Sequence, residues 1–350
     1  MKPRFLFPIA AITLSFLTAF VFVEVALRIA GLGYGSAPLE SDPAFHHVHP
    51  ANYRFVVHTP DGEYGGHTVY YDKDRLISET GRKQTAEDIG SCRIAFMGDS
   101  FTEAAQVEYG KSFVGILSHS TSCKTWNFAV SSYSPIFYLL QWRQTIKNLR
   151  PTLVVVQLFS NDVSSDSEYY SMATLDRNGQ VTAIPGPGGG WLASQSRKLY
   201  LLRYLRKTQL MLKWILFHRE EKSDVVGGTV EENPDITQLS SDLMSALSTE
   251  VLASGAKFAF FAVPSKARQF RQIEKQVTPE FSDKWKRWAE ERKISYIDLV
   301  PAFRDEAGKG VRLFFERDIH LNELGNAVVA REIARRYPEI FYASAIQQSK

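Results

Sequence analysis

The chain has 350 residues, enough for one large α/β domain with additions. Apolar residues make up 44% and charged residues 23%, which excludes a disordered or collagen-like chain. Its 41 basic and 38 acidic side chains leave a formal charge of +3, too even to suggest a nucleic-acid partner, and no basic block interleaved with aromatics occurs.

Phe5 to Val23 is an uncharged run of 19 residues, followed by Glu24 and Val25-Ala26-Leu27. At about 1.5 Å per residue a helix of that length crosses a bilayer core, so residues 5–27 are expected to meet lipid. Lys2 and Arg4 ahead of the run favour a cytoplasmic N-terminus with the rest of the chain across the membrane. A cleaved signal peptide is the rival reading, and a buried soluble helix a third. The run is long for a signal, and Val25-Ala26-Leu27-Arg28 is a poor small-residue cleavage site. Residues 1–30 are therefore read as an anchor.

Residues 31–90 form an extended connecting segment expected to pack on the main domain. Gly and Pro punctuate its first part, and Tyr53 to Val57 and Thr68 to Tyr71 read as short strands. His46, His47 and His49 cluster here. No carboxylate or further imidazole stands at a diagnostic spacing, so packed or solvent-facing histidines are preferred to a metal site.

From Cys92 onward strands and helices alternate as in a parallel sheet. Arg93–Met97 reads as a short buried strand and Tyr109–Ser120 as a helix; Lys124–Val130 and Pro135–Leu149 repeat the pair. Pro151 then precedes Leu153–Phe159, nearly all apolar as in a strand covered on both faces. It ends at Ser160-Asn161-Asp162, on the carboxyl edge where open α/β sheets bind ligands. Cys92 and Cys123 each stand just before one of the first two strands, so pairing of those strands would let them bridge. The closed loop would contribute about 3 kcal/mol and suit an oxidising compartment. Two separately buried thiols are the alternative.

Residues 163–236 interrupt the alternation and are read as an insert or lid. Within it, Pro185 to Gly190 is a loop, Leu199–Phe217 an apolar helix, and Glu220 to Pro234 a polar stretch. Arg203, Arg206, Lys207 and Lys213 fall within about a third of that helix's circumference. Such a stripe marks either an interfacial helix or a helix that caps an active site with one wet face, and the second is preferred. The order then resumes with a helix over Leu239–Ser254, a strand over Lys257–Val263, a helix over Pro279–Arg292 and a strand over Ser295–Val300. A last helix spans Glu323–Arg336, so the main domain covers residues 91–345.

Ser100 follows the first strand through Gly98-Asp99, where a glycine lets the chain turn tightly and unpaired N–H groups stand beside the hydroxyl. An ordinary N-cap is the alternative. Serine needs a base, which His320 can supply, and Asp318 can orient that imidazole if the loop curls. Asn161 can donate to an oxyanion from the end of the third strand, an Asx-turn being the alternative. Asn127 and Asp162 are read as anchors of backbone turns.

Gly98-Asp99-Ser100-Phe101, Ser160-Asn161-Asp162 and Asp318-Ile319-His320 occur in this order and resemble three blocks of the SGNH, or GDSL-like, hydrolase superfamily. The resemblance covers residues 92–338. It implies an α/β fold: a three-layer sandwich with a mostly parallel, flavodoxin-like central sheet, here preceded by one transmembrane helix. It further implies Ser100 as nucleophile, His320 as base and Asp318 as orienting acid, with the Ser100 N–H and the Asn161 side chain in an oxyanion hole. The family's second block usually adds a glycine N–H; in Val130-Ser131-Ser132-Tyr133 the matching position is Ser132. Phe159 stands where the third block often has glycine, and the acid precedes the histidine by two residues where three is commoner. Neither cofactor nor metal is expected.

The anchor resembles that of membrane-tethered bacterial members, some of which serve cell-surface polysaccharides. The expected protein is a single-pass inner-membrane serine esterase whose catalytic domain lies in the periplasm or outside the cell. Its substrate would bear an ester, an acetylated glycan being the leading candidate, and envelope proteins are candidate partners. One alternative is a polysaccharide O-acetyltransferase using the same triad; another is a non-catalytic glycan- or partner-binding envelope protein.

Overall fold

In the computed structural model, residues 6–79, 92–188, 191–217, 233–266 and 280–341 are described. Residues 1–5 of the anchor, the end of the connecting segment, nearly all of the polar stretch expected from Glu220 to Pro234, and Pro279 lie outside the described residues.

The uncharged run forms α1, Leu6–Ala30, whose 25 residues extend about 37 Å. It is long and apolar enough to cross a membrane by length and composition, and almost all of its surface is exposed. In the connecting segment, β1 (Glu40–Asp42) and β2 (His46–Val48) pair antiparallel. Next, β3 (Tyr53–His58), β4 (Gly65–Tyr71) and β5 (Ile77–Ser78) form an antiparallel sheet. Alternation along β3 turns Tyr53, Phe55 and Val57 into a small core with Val69, Tyr71 and Ile77.

The main domain opens with β6 (Arg93–Met97), α2 (Ser100–Glu103), α3 (Phe113–His119) and β7 (Lys124–Asn127). It continues with α4 (Pro135–Gln144), β8 (Leu153–Leu158) and α5 (Asp162–Met172). The hairpin β9 (Thr174–Leu175) and β10 (Val181–Ala183) follows, then α6 (Trp191–Lys198) and α7 (Tyr200–Phe217). After α8 (Gln238–Ala253) come β11 (Lys257–Ala262), α9 (Phe281–Arg292), α10 (Val300–Gly308), α11 (Glu323–Arg336) and α12 (Pro338–Phe341).

All four main strands run parallel, in the spatial order β7–β6–β8–β11, and a parallel bridge from Phe260 to Tyr296 extends the far edge. Central β8 is buried along its whole length. Val154, Val156 and Leu158 meet side chains of α4, α8 and α9 on one face, while Leu153 and Val155 meet those of α3, α10 and α11 on the other. The continuous apolar run of this strand follows from being covered twice.

Four expected elements are shorter in the fold: the helix expected over Pro135–Leu149 ends at Gln144, a 3-10 turn over Ile146–Leu149 following it, and three others are cut back as well. Ser112 caps α3 by accepting from the Gly115 N–H at 3.0 Å, so the helix starts at Phe113 and only one 3-10 turn precedes it. Strand β7 stops at Asn127, whose amide ties the next turn to Ala129 and to Thr102. Beyond α9, Pro301 in the first turn of α10 leaves only the bridge at Tyr296. Pairing of β6 with β7 aligns Arg93 with Lys124, and the preceding Cys92 and Cys123 form a disulfide with Cα atoms 4.8 Å apart.

Candidate active site

Strand β6 steps outward to β7, and the chain then returns past β6 to build β8. The carboxyl ends of β6 and β8 therefore flank the point where the strand order reverses, the usual crevice of such sheets. Ser100 follows β6 and Asn161 follows β8. A Cβ on Gly98 would stand 2.6 Å from Gln157 Oε1 and 2.2 Å from Thr102 Oγ1, so only glycine lets these strands approach. Gln157 then holds the turn, accepting from the Asp99 N–H at 3.2 Å and the Thr102 hydroxyl at 3.0 Å. Asp99, not Ser100, is the N-cap: its carboxylate accepts from the Phe101 N–H at 2.9 Å.

This leaves the Ser100 hydroxyl for His320, whose Nε2 lies 2.7 Å from Oγ. His320 Nδ1 lies 2.5 Å from Asp318 Oδ1, and the His320 backbone N–H donates to the same oxygen at 2.8 Å. The two-residue spacing thus works because the loop curls until acid and imidazole meet. With Nδ1–H donating to Asp318, Nε2 accepts from the Ser100 hydroxyl. Phe101 lies 4.8 Å from the imidazole, centroid to centroid, and Phe159 lies 4.4 Å from Phe101. The aromatic at the glycine-favoured position therefore backs the ring that supports His320.

Ser132 has φ +70°, in the left-handed region that favours glycine, which explains why a glycine would be at home there. Among the described residues, the N–H groups of Ser100 and Ser132 and the side-chain amide of Asn161 make no protein hydrogen bond, and Asn161 Oδ1 is buried. Asn161 begins α5 without capping it, so its amide is not consumed by the helix start. Asp162 instead accepts from the Phe159 N–H at 3.0 Å.

Residues with no catalytic part in the sequence reading hold both sides of this crevice. In the loop between β3 and β4, Tyr64 donates to Asp318 Oδ2 at 3.1 Å. Glu63 accepts from the N–H groups of Arg317 at 2.7 Å and Asp318 at 3.0 Å. Across the site, buried Glu103 accepts from the Ser131 N–H at 2.8 Å and hydroxyl at 2.6 Å, and from Tyr71 at 2.8 Å. His49 lies 3.3 Å from Glu103 and stacks on Tyr71, while His47 Nε2 donates to the Ser131 carbonyl at 2.8 Å. The histidine cluster thus pins the turn that carries Ser132. Among the described residues no group of His, Cys, Asp and Glu could hold a metal ion.

Charge states fit these contacts. Burial works to raise the Asp318 carboxyl, but hydrogen bonds and charge from His320, with the Tyr64 hydroxyl, hold it below the usual carboxylate range. Burial would likewise raise Glu103; His49, Ser131 and Tyr71 outweigh it and bring the group down to about 2. Burial drives Asp99 and Asp162 upward, and the charge of Asp99 adds to the shift at Asp162.

Gln157 could have been noticed as the one polar residue in an apolar strand. Glu63 and Tyr64 offered no signal beyond a polar turn between two alternating runs, because their target lies more than 250 positions away.

A search of curated proteins returns no match. Among solved structures, the acetyl xylan esterase AlAXEase is 12% identical, covers 70% of this chain and 99% of its own, and gives a TM-score of 0.42. Axe2, an acetylxylan esterase from Geobacillus stearothermophilus, is 14% identical over 70% of this chain and 94% of its own, with a TM-score of 0.41. A putative lipolytic protein of the G-D-S-L family from Desulfitobacterium hafniense DCB-2 is 12% identical over 70% and 99%, with a TM-score of 0.40. The model of the GDSL-like Lipase/Acylhydrolase family matches residues 96–328, a span from the strand before Ser100 to beyond His320. With most of its length inside that match, the chain belongs to the GDSL-like lipase and acylhydrolase family.

Proposed function

We propose that the protein is a membrane-tethered serine esterase acting on acyl or acetyl esters outside the cytoplasmic membrane. The observation that carries this reading is the continuous hydrogen-bond chain from Ser100 through His320 to Asp318, at 2.7 and 2.5 Å. Ser100 Oγ attacks the ester carbonyl while His320 Nε2 takes its proton, and Asp318 stabilises the imidazolium. The oxyanion of the tetrahedral intermediate meets the N–H groups of Ser100 and Ser132 and the Asn161 amide. Collapse breaks the ester C–O bond, and His320 returns the proton to the leaving alcohol. Water then gives a proton to His320, attacks the acyl-enzyme and releases the acid, with Ser100 regaining its proton.

Lys2, Arg4 and α1 support a single-pass inner-membrane anchor, and the Cys92–Cys123 disulfide supports an oxidising compartment such as the periplasm. The strand order supports a flavodoxin-like, three-layer domain over residues 91–345, with 163–236 as its insert. A polar cleft of about 610 Å³, lined by Glu63, Tyr64, His67 and Asn322 among others, adjoins the acid loop without being lined by Ser100, Asn161 or His320, so the glycan-borne ester rests on the resemblance to membrane-tethered members that serve cell-surface polysaccharides.

The test incubates the full-length protein with acetylated glycan and small acetyl esters, with and without a sugar acceptor, beside Ser100→Ala. Free acetate that disappears in the variant is the expected result. Acetylated acceptor would make the protein an O-acetyltransferase, and no reaction in any mixture would leave it a binding protein.

A further inference from the structure

Helix α7 is built inside out for a protein in water. Its cationic side chains Arg203 and Lys207 face the protein: Arg203 lies 5.1 Å from the Phe55 ring centroid and Lys207 lies 3.4 Å from that of Tyr34. On the opposite side Leu205, Leu212 and Leu216, spaced seven and four apart, are 55%, 53% and 71% exposed. Leu202 and Ile215 flank this strip and are exposed as well. A surface helix normally turns such a strip inward, and an uncovered one marks a contact surface.

The covering phase is indicated by what holds the helix. Glu24, the one charge inside the apolar run of α1, accepts from the N–H groups of Tyr200 at 3.0 Å and Leu201 at 2.9 Å. Arg28 bonds Glu24 at 2.7 Å and lies 4.9 Å from the Tyr200 ring centroid. The start of α7 is thereby fixed to the last turns of α1. Glu24 lies about 26 Å along the helix from Phe7, near the far edge of a hydrocarbon core about 30 Å thick. Arg206 and Lys213 border the leucine strip, both exposed and without a carboxylate partner among the described residues. Leucines flanked by such exposed cations suit an anionic phospholipid surface.

We propose that α7 is a second bilayer contact, lying in the interfacial layer of anionic phospholipid where α1 leaves the membrane. This rests on the reading of α1 as an anchor. It also sets the height of the active site. Trp214, on the protein-facing side of α7, lines a cavity of about 250 Å³ with Arg317 and Asp318. The acid loop therefore rides one helix diameter, roughly 10 Å, above the lipid, and ester groups held close to the membrane are its nearest substrates.

Full-length protein in nanodiscs of phosphatidylcholine, with and without phosphatidylglycerol, tests this through a nitroxide on Leu212→Cys. Phe16→Cys in α1 and Leu252→Cys on the outer face of α8 serve as references. The expected result is that oxygen relaxes the Leu212 label severalfold more than a water-soluble nickel chelate does, most clearly with phosphatidylglycerol, at a depth between the two references. A Leu212 label as aqueous as that at Leu252, while Phe16 reads as lipid-buried, overturns the proposal and leaves the anchor standing. A label at Leu212 shielded from both reagents means that protein covers the face, and also overturns it. An aqueous Phe16 defeats the anchor reading itself, and the proposal with it.

Discussion

Ser100 and His320 meet at 2.7 Å, yet they are held there by different means. Ser100 is fixed from below by the sheet: Gly98 packs against Gln157, Asp99 caps the turn, and β6 lies between two parallel neighbours. The Asp318–His320 loop springs from the antiparallel bridge between Phe314 and Leu321, with the Phe315 N–H donating to the His320 carbonyl at 3.1 Å, and is braced from the side by Glu63 and Tyr64 of the connecting segment. The same segment holds the Ser132 turn through His47, His49 and Tyr71. The nucleophile is thus part of the core, while its base and one oxyanion donor are braced as well by the chain between α1 and the domain.

Substitutions on the two sides should separate these contributions. The largest loss belongs to Asp318→Asn, which keeps the loop but disfavours the tautomer His320 needs; kcat on a small acetyl ester should fall about 10⁴-fold. A loss below tenfold would mean that Asp318 orients nothing. Asn161→Ala should lower kcat by about 10²–10³-fold with the Tm unchanged, because its side-chain amide makes no hydrogen bond among the described residues. Unfolding in place of slow turnover would return Asn161 to a structural role.

Glu103→Gln probes the support of the Ser132 turn and should cost roughly 2 kcal/mol at neutral pH, read by urea unfolding. Because Glu103 is depressed to about 2 in the fold, its contribution is present above the unfolded carboxyl range, near 4.5, and is lost as pH falls toward 2. The variant should lack that part of the acid dependence; identical acid profiles would contradict the assignment. Smallest is Tyr64→Phe, expected to reduce kcat by roughly tenfold or less with KM little changed. Since its hydroxyl helps keep Asp318 ionised, activity on the acid side should begin to fail at higher pH than in the parent. An unmoved pH profile would reduce Tyr64 to packing.

Much of the core side of this comparison was legible in the sequence. The buried run of β8, the glycine before Ser100 and the three polar blocks are local signals, set by strand burial and turn geometry. The parallel pairing also followed, and with it the Cys92–Cys123 disulfide. The supporting side was not legible, because a hydrogen bond between positions 64 and 318 or an imidazole–carboxylate contact between 49 and 103 leaves no periodic trace. Glu24 is intermediate: a charge in an apolar run signals a partner without naming it, and that partner is the start of α7. Helix ends drifted where a side chain cap, as at Ser112, restarted the chain.

Ser100 as nucleophile is tested by covalent capture with a serine-directed phosphonate ester, read by intact mass and peptide mapping on the full-length protein. One adduct per chain is expected on the peptide containing Ser100, slowed strongly in His320→Ala and absent in Ser100→Ala. An adduct on another residue, or none in a protein that still cleaves esters, would contradict that role.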